Sequence, residues 1–339
     1  MARRRGLWRV LVTLLVLLGL ALSALLLFNN RVLGAGTLSR VTIPDGANLR
    51  ILADSLRSAR AIRSALVLRV VATIRGRSGV TFRGGRYFVR RGASASELLE
   101  QFETGRGRYH RLTIPEGWGI RQIATLMSDS LGIDTSAFRA VTRDSIRRER
   151  MRTSAADLEG YLFPATYEIR DQSTPAAIVD TMLITFERRW KSSWDSTLQA
   201  TGRTRHDLVT LASIVEKEAG RSSDRPLIAA VYRNRLQRGL RLQADPTVLY
   251  AMGLIAKRVM YADLRVVSPY NTYRVSGLPP GPIASPGTAS LAAAMFPADS
   301  NVMFFVAFPD GHSQFTTTFG QHRTAVKASR AARDSAAKR

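Results

Sequence analysis

The longest apolar run opens the chain. Val10–Phe28 carries no charge and is mostly Leu and Val. As a helix, a run of that length spans roughly 28 Å, close to the hydrocarbon thickness of a bilayer. Arg3, Arg4, Arg5 and Arg9 precede it. The positive-inside rule therefore keeps the N-terminus cytoplasmic and exports the rest. A cleaved signal peptide is the alternative, with small residues near Ala21 and Ser23. Leu25–Phe28 continue the apolar run past that point and favour a retained anchor.

Beyond a polar linker the pattern repeats. Val41-Thr42-Ile43-Pro44-Asp45-Gly46, leading to Leu49, matches Leu112-Thr113-Ile114-Pro115-Glu116-Gly117, leading to Ile120, at an offset of 71 residues. Each copy predicts a strand, a turn at Pro-acid-Gly, then an amphipathic helix. Gly85–Val89 predicts another strand, and Ser94–Phe102 a capped helix ending before Gly105. Strand–helix–helix–strand units opening on Ile-Pro-x-Gly-x-x-Leu resemble the LysM glycan-binding module. A small α/β spacer without a ligand stays open beside that reading.

Further on, Asp134–Ser154 is charged and predicts helix, and Thr174–Trp190 predicts an amphipathic helix. In Leu208–Gly220 apolar residues fall at 208, 211, 212, 215 and 219, the spacing of a helix with one buried face. Thr204 and Asp207 offer caps, and Gly220 a stop. At about 100° per residue Glu218 points into the apolar arc, between Ile214 and Leu211, Glu216 lies at its edge, and Lys217 faces away. A carboxyl there needs a partner or a raised pKa, because desolvation disfavours its charge. An acid protonated near neutrality suits glycosidic cleavage. The alternative is a helix-end Glu that reaches solvent or an Arg.

A second helix is predicted over Pro226–Arg238, and a third begins with Asp245 as N-cap and Pro246 behind it. Ser268–Gly287 is a long loop fixed by Pro and Gly, of the kind that is usually functional. Met303–Phe308 and Gln314–Phe319 predict a hairpin turning at Asp310-Gly311, followed by a basic, frayed tail from Lys327.

Charge and composition narrow the chemistry. The net charge is +24, nearly all of it from Arg, and suits an anionic partner. Export demotes nucleic acid within that set and promotes the cell wall; a nucleic-acid binder would require a cytoplasmic location. The absence of Cys excludes thiol nucleophiles and Cys-ligated metal. Only His110, His206, His312 and His322 exist, with no His-Glu-x-x-His pattern, so no metal is expected.

Six motifs then occur in one order: Glu159-Gly160-Tyr161-Leu162-Phe163-Pro164, Ala212–Glu218, Leu242–Thr247, Tyr270–Tyr273, Gly277–Ile283 and His312–Phe315. Together they resemble the YceG-like family of membrane-anchored endolytic murein transglycosylases. The resemblance implies that Glu218, second Glu of the Ile-x-Glu-Lys-Glu run, is the catalytic acid. Within the matched motifs Glu159, Tyr161, Gln243, Asn271 and Tyr273 are substrate-binding candidates, with a scaffolding role equally open. No cofactor is implied; Lys217, facing away from the apolar side, does not fit a Schiff base.

The expected fold class is α+β: an N-terminal transmembrane helix, a small LysM-like α/β module and a larger mixed α/β catalytic domain. The boundaries are 1–30 for the Arg cluster and anchor, 31–40 for the linker, 41–108 for the LysM-like module, 109–327 for the catalytic domain and 328–339 for the basic tail. The expected function is lytic cleavage of the MurNAc-β-1,4-GlcNAc bond with a 1,6-anhydro end, terminating nascent strands. A non-catalytic peptidoglycan-binding scaffold and a hydrolytic muramidase using Glu159 or Asp245 as second carboxylate are the alternatives. Expected partners are glycan strands, the bilayer and cell-wall synthesis proteins, at the inner membrane, with the catalytic domain periplasmic.

Overall fold

Alternating exposed and buried side chains along β1 (Leu38–Ile43) turn one pleated face inward. The computed structural model that shows this describes residue 8 and residues 10–20, 37–255 and 259–337. The chain divides into two units.

The first unit runs to Arg111 and includes Glu168–Gln172. β1 is followed by α1 (Leu49–Ser58), α2 (Ala65–Ile74), β2 (Gly85–Arg90), α3 (Ala95–Thr104) and β3 (Arg108–Thr113). β1 and β3 flank β2 antiparallel, and β4 (Thr166–Arg170) completes the sheet in the order β1-β2-β3-β4. The core gathers Val41, Leu52, Leu68, Tyr87 and Phe102. α2 carries Val67, Val70, Val71 and Ile74, whose branching lowers helix propensity. Ser64 caps it, and burial of Leu68 and Val71 holds it. α3 has the full capping box of Ser94 and Glu97 and stops at left-handed Gly105.

The second unit comprises Leu112–Tyr167 and the chain from Ser173 onward. It holds α4 (Ile120–Leu131), α5 (Thr135–Thr142), α6 (Ser145–Arg150), α7 (Pro175–Arg189), α8 (Ser192–Ala200), α9 (Arg205–Glu218), α10 (Arg225–Gln237), α11 (Asp245–Ala251) and α12 (Thr288–Met295). The antiparallel hairpin β5 (Phe304–Ala307) and β6 (Ser313–Thr316) follows, then α13 (Phe319–Ala337). α9 is buried without interruption from Leu208 to Val215 and packs against α10 and α12. Helices and antiparallel strands thus make a mixed α and β fold.

The repeat is visible in the backbone. Gly46 and Gly117 both turn with left-handed φ, +70° and +74°, and a helix follows each. The caps differ: Asn48 Oδ1 accepts from Ile51 N at 3.0 Å, whereas in the second copy Gln122 Oε1 accepts from Gly119 N at 3.1 Å.

Several expectations change. Leu38–Arg40, expected in the linker, already belong to β1. The charged stretch 134–154 forms two short helices, because Asp134 and Asp144 each cap a new start. The tail is helical to Ala337 rather than frayed. The end of the Pro/Gly loop packs inward. From Gly281 to Gly287 every residue is buried, and Ile283 N donates to Ser213 Oγ of α9 at 3.0 Å. Of the anchor expected over Val10–Phe28, residues 10–20 are helical, and 21–28 lie outside the described residues, as do Arg3, Arg4, Arg5 and Arg9. Among the described residues no helix is long and apolar enough to cross a membrane.

Candidate active site

α9 delivers Glu218 at its last turn. Thr204 and Asp207 form a capping box at the start, and each accepts a backbone N–H from the other's residue. The expected stop at Gly220 is absent as such. Ala219 leaves the helix in extended conformation, with φ −75° and ψ 108°. Gly220 serves a close approach instead, since a Cβ there would stand 3.0 Å from the Gly311 carbonyl oxygen. The hairpin tip is bound to the same exit: Arg221 Nη2 donates to Asp310 O at 2.7 Å, and Ser313 N to Asp224 Oδ2 at 2.9 Å.

Glu218 is only partly covered, so a substrate can reach it, although protein atoms crowd its carboxyl on most sides. That burial pushes its pKa up to about 7, and the charge of Asp245 adds to the effect. A hydrogen bond from Tyr232 and the charge of Arg235 oppose it. Tyr232, buried on α10, donates its hydroxyl to Glu218 Oε1 at 2.9 Å. The neighbours of the acid are therefore polar as well as apolar, unlike the greasy arc that helical phase predicted.

Two of the substrate-binding candidates join this cluster. Tyr273 OH donates to Asp245 Oδ1 at 2.6 Å, and the charge of Glu218 reaches that phenol, pushing its pKa upward with burial the main cause. Gln243 Oε1 accepts from Arg235 Nη1 at 3.3 Å. Gln243 holds a left-handed backbone, φ +53°, uncommon for a residue with a side chain. Asp245 is not the N-cap of α11. It occupies the first helical turn, and its carboxylate is engaged by Tyr273.

The other three candidates lie elsewhere. Asn271 is fully buried and scaffolds its loop: Nδ2 donates to Leu264 O at 2.9 Å and Val266 O at 2.7 Å, and Oδ1 accepts from Tyr273 N. Tyr161 is wholly buried with its ring against Phe186, a packing position. Glu159 lies in a separate cavity. Both its carboxyl oxygens share the Ile120 N–H at the start of α4, at 3.0 and 3.3 Å. Burial pushes its pKa up to about 8, with Asp157 adding to the effect. A helix N-terminus ordinarily favours the carboxylate, and here desolvation outweighs it. Gly119 permits the fit, because a Cβ there would stand 3.1 Å from a Glu159 oxygen.

The helix that carries the acid is braced on its other faces. Glu216 pairs with Arg225 at 3.1 Å and accepts the Gly287 N–H at 3.0 Å, tying the Pro/Gly loop to α9. Lys217 donates to Gly117 O at 3.3 Å and is exposed, so it is no buried Schiff-base lysine. Among the described residues no group of three His, Asp or Glu side chains converges as a metal set. Sequence reasoning passed over Tyr232 and Arg235. Their available signal was position on the helix after the Glu-Lys-Glu run, one turn apart and facing back toward it.

Comparison with known proteins agrees with this architecture. The profile of the YceG-like family matches residues 41–328. A Bacillus subtilis (strain 168) protein named endolytic murein transglycosylase is 33% identical over 304 residues, covering 85% of this chain and 84% of its own length. A protein of the same name from Streptococcus pneumoniae (strain D39) is 31% identical over 298 residues, 79% of this chain and 54% of its own. The crystal structure of a YceG-like protein from Listeria monocytogenes superposes with TM-score 0.61 at 29% identity, over 85% of this chain and 98% of that one. A match from the first repeat to α13, on one sequence order and one fold, makes this chain a member of the YceG-like family.

Proposed function

We propose that the chain is an endolytic lytic transglycosylase that cuts the MurNAc-β-1,4-GlcNAc bond of peptidoglycan and leaves a 1,6-anhydro-MurNAc end. The observation that carries this is Glu218: an accessible carboxyl whose surroundings keep it protonated up to about pH 7. Glu218 gives its proton to the bridging oxygen as the C1–O bond breaks. Positive charge develops at the muramic C1. The resulting carboxylate then takes the proton from the 6-hydroxyl of the same sugar, whose oxygen closes on C1. An internal hydroxyl has a high effective concentration, so water needs no activation. Proton transfer of this kind supplies about 10²–10⁴-fold, and positioning supplies the rest.

Tyr232 holds Glu218 Oε1 and leaves Oε2 for the sugar. Asp245, kept in place by Tyr273, lends negative charge beside the developing cation. The same Asp245 makes a hydrolase the second reading, with a water in place of the 6-hydroxyl. Mass analysis of products from purified sacculi separates the two, because the anhydro end is lighter by one water. Glu218→Gln should fold, bind glycan and release no anhydro-muropeptide. Cutting at near wild-type rate by that variant removes Glu218 from the mechanism.

The apolar N-terminal run anchors the enzyme in the inner membrane, with the Arg cluster cytoplasmic and the catalytic unit periplasmic. The strand–helix–helix–strand module is the LysM-like glycan holder, and cell-wall synthesis proteins are the partners. A periplasmic reporter fused after Arg339 tests the orientation; an inactive reporter there refutes it.

A further inference from the structure

The cavity that holds Glu159 is close to the acid without containing it. Its volume is about 250 Å³. Lys217, which precedes Glu218, and Pro246, which follows Asp245, form part of its wall. A glycan strand is a long polymer and needs an open groove. A cavity this small suits a branch, since pockets for drug-sized ligands start at about 300 Å³. Its floor is apolar, with Ile120, Leu249 and Ile283, while Arg121, Arg139 and Lys217 stand around it.

Two of those cations are fixed by the fold. Arg121 Nη1 donates to Gly253 O at 2.7 Å, and Lys217 to Gly117 O. Arg139 is different. It is exposed on the last turn of α5, and among the described residues its guanidinium has no hydrogen bond or ion pair. The opposing acids are Asp157 and Glu159. Asp157 accepts the Glu159 N–H at 3.1 Å, and Glu159 is neutral below about pH 8. Near neutrality the cavity therefore carries three positive charges against one negative.

We infer that this cavity receives the peptide branch of the muramic residue, with small apolar side chains on the floor and a peptide carboxylate paired with Arg139. The inference rests on the transglycosylase reading, which supplies a substrate with acidic peptide branches. Arg139 is a specificity residue here and touches no reacting atom.

The test uses strands carrying peptides, the same strands stripped by an amidase, and two small probes, muramyl dipeptide and N-acetylmuramic acid. Wild type should cut peptide-bearing strands with a KM about tenfold lower than stripped strands. Arg139→Glu should erase that difference by raising KM on peptide-bearing strands, with kcat and the cutting of stripped strands unchanged. Wild type should also bind muramyl dipeptide about tenfold more tightly than N-acetylmuramic acid, and Arg139→Glu should bind them alike. Equal handling of both strand types by wild type overturns the inference, as does equal binding of the two probes. A variant that loses both strand types together also overturns it. Absence of anhydro product from every strand refutes the transglycosylase reading instead, and the probe binding then still decides the cavity.

Discussion

At Glu218 burial and hydrogen bonding pull in opposite directions, and the pH profile should report the balance. With the carboxyl as proton donor in the proposed mechanism, kcat/KM should fall as pH rises through about 7. Tyr232 donates to the carboxyl and so favours its charged form. Tyr232→Phe removes that influence. The descending limb should move to higher pH by about one unit, the equivalent of one hydrogen bond. A limb that stays in place, measured on peptide-bearing strands across the range, shows that the phenol does not tune the acid. Glu218 stood out in the sequence because a charged residue broke an otherwise apolar helical face, but the polar neighbours that surround it were not foreseen. Tyr232 was not, since a tyrosine at a core-facing position reads as packing, and only the fold shows where its hydroxyl ends.

Among the elements, α9 was predicted well at its start, where caps and apolar period agreed, but it ends at Glu218, before the expected stop at Gly220. α11 was misjudged at its start. Asp245 before Pro246 has the composition of an N-cap, and nothing local reveals that a tyrosine 28 residues later claims its carboxylate. The packing of the Pro/Gly loop was not legible for a related reason: such residues mark irregular backbone, whether it lies on a rim or is packed against a helix. The segment 264–273 depends on Asn271, whose amide holds two half-buried carbonyls. Asn271→Ala should cost about 3 kcal/mol in denaturant unfolding, because those carbonyls lose their donor. Its activity should drop as well, since Tyr273 hangs from the same side chain. Full stability in that variant removes Asn271 from the scaffold.

For the whole molecule, Glu159 links stability to pH. Its pKa is about 8 in the fold against an ordinary 4.5. A group raised in this way contributes fully below 4.5, and the contribution is lost as pH rises through about 8. Glu159→Gln removes the titration. The fall in Tm between about pH 5 and pH 9 should become shallower than in wild type. An unchanged slope shows that this carboxyl is not the titrating group. The net charge of +24 makes a second prediction at this scale. Affinity for acidic wall material should weaken as ionic strength rises from about 0.05 to 0.5 M, because the screening length shortens several-fold. The order of motifs had already given the family away, whereas the Glu159 cavity was invisible in sequence, its walls coming from six separate stretches of chain.

The glycine-to-glycine approach between the end of α9 and the hairpin tip leaves no slack. In the proposed mechanism, a swollen or shortened β5–β6 turn would tug on Glu218 like a lever on a valve, while Tyr232, Tyr273 and Asp245 kept their own bonds. Libraries built to retune turnover should therefore diversify the Asp310-Gly311 corner first, where a remote adjustment can dim or brighten the chemistry without rewriting it.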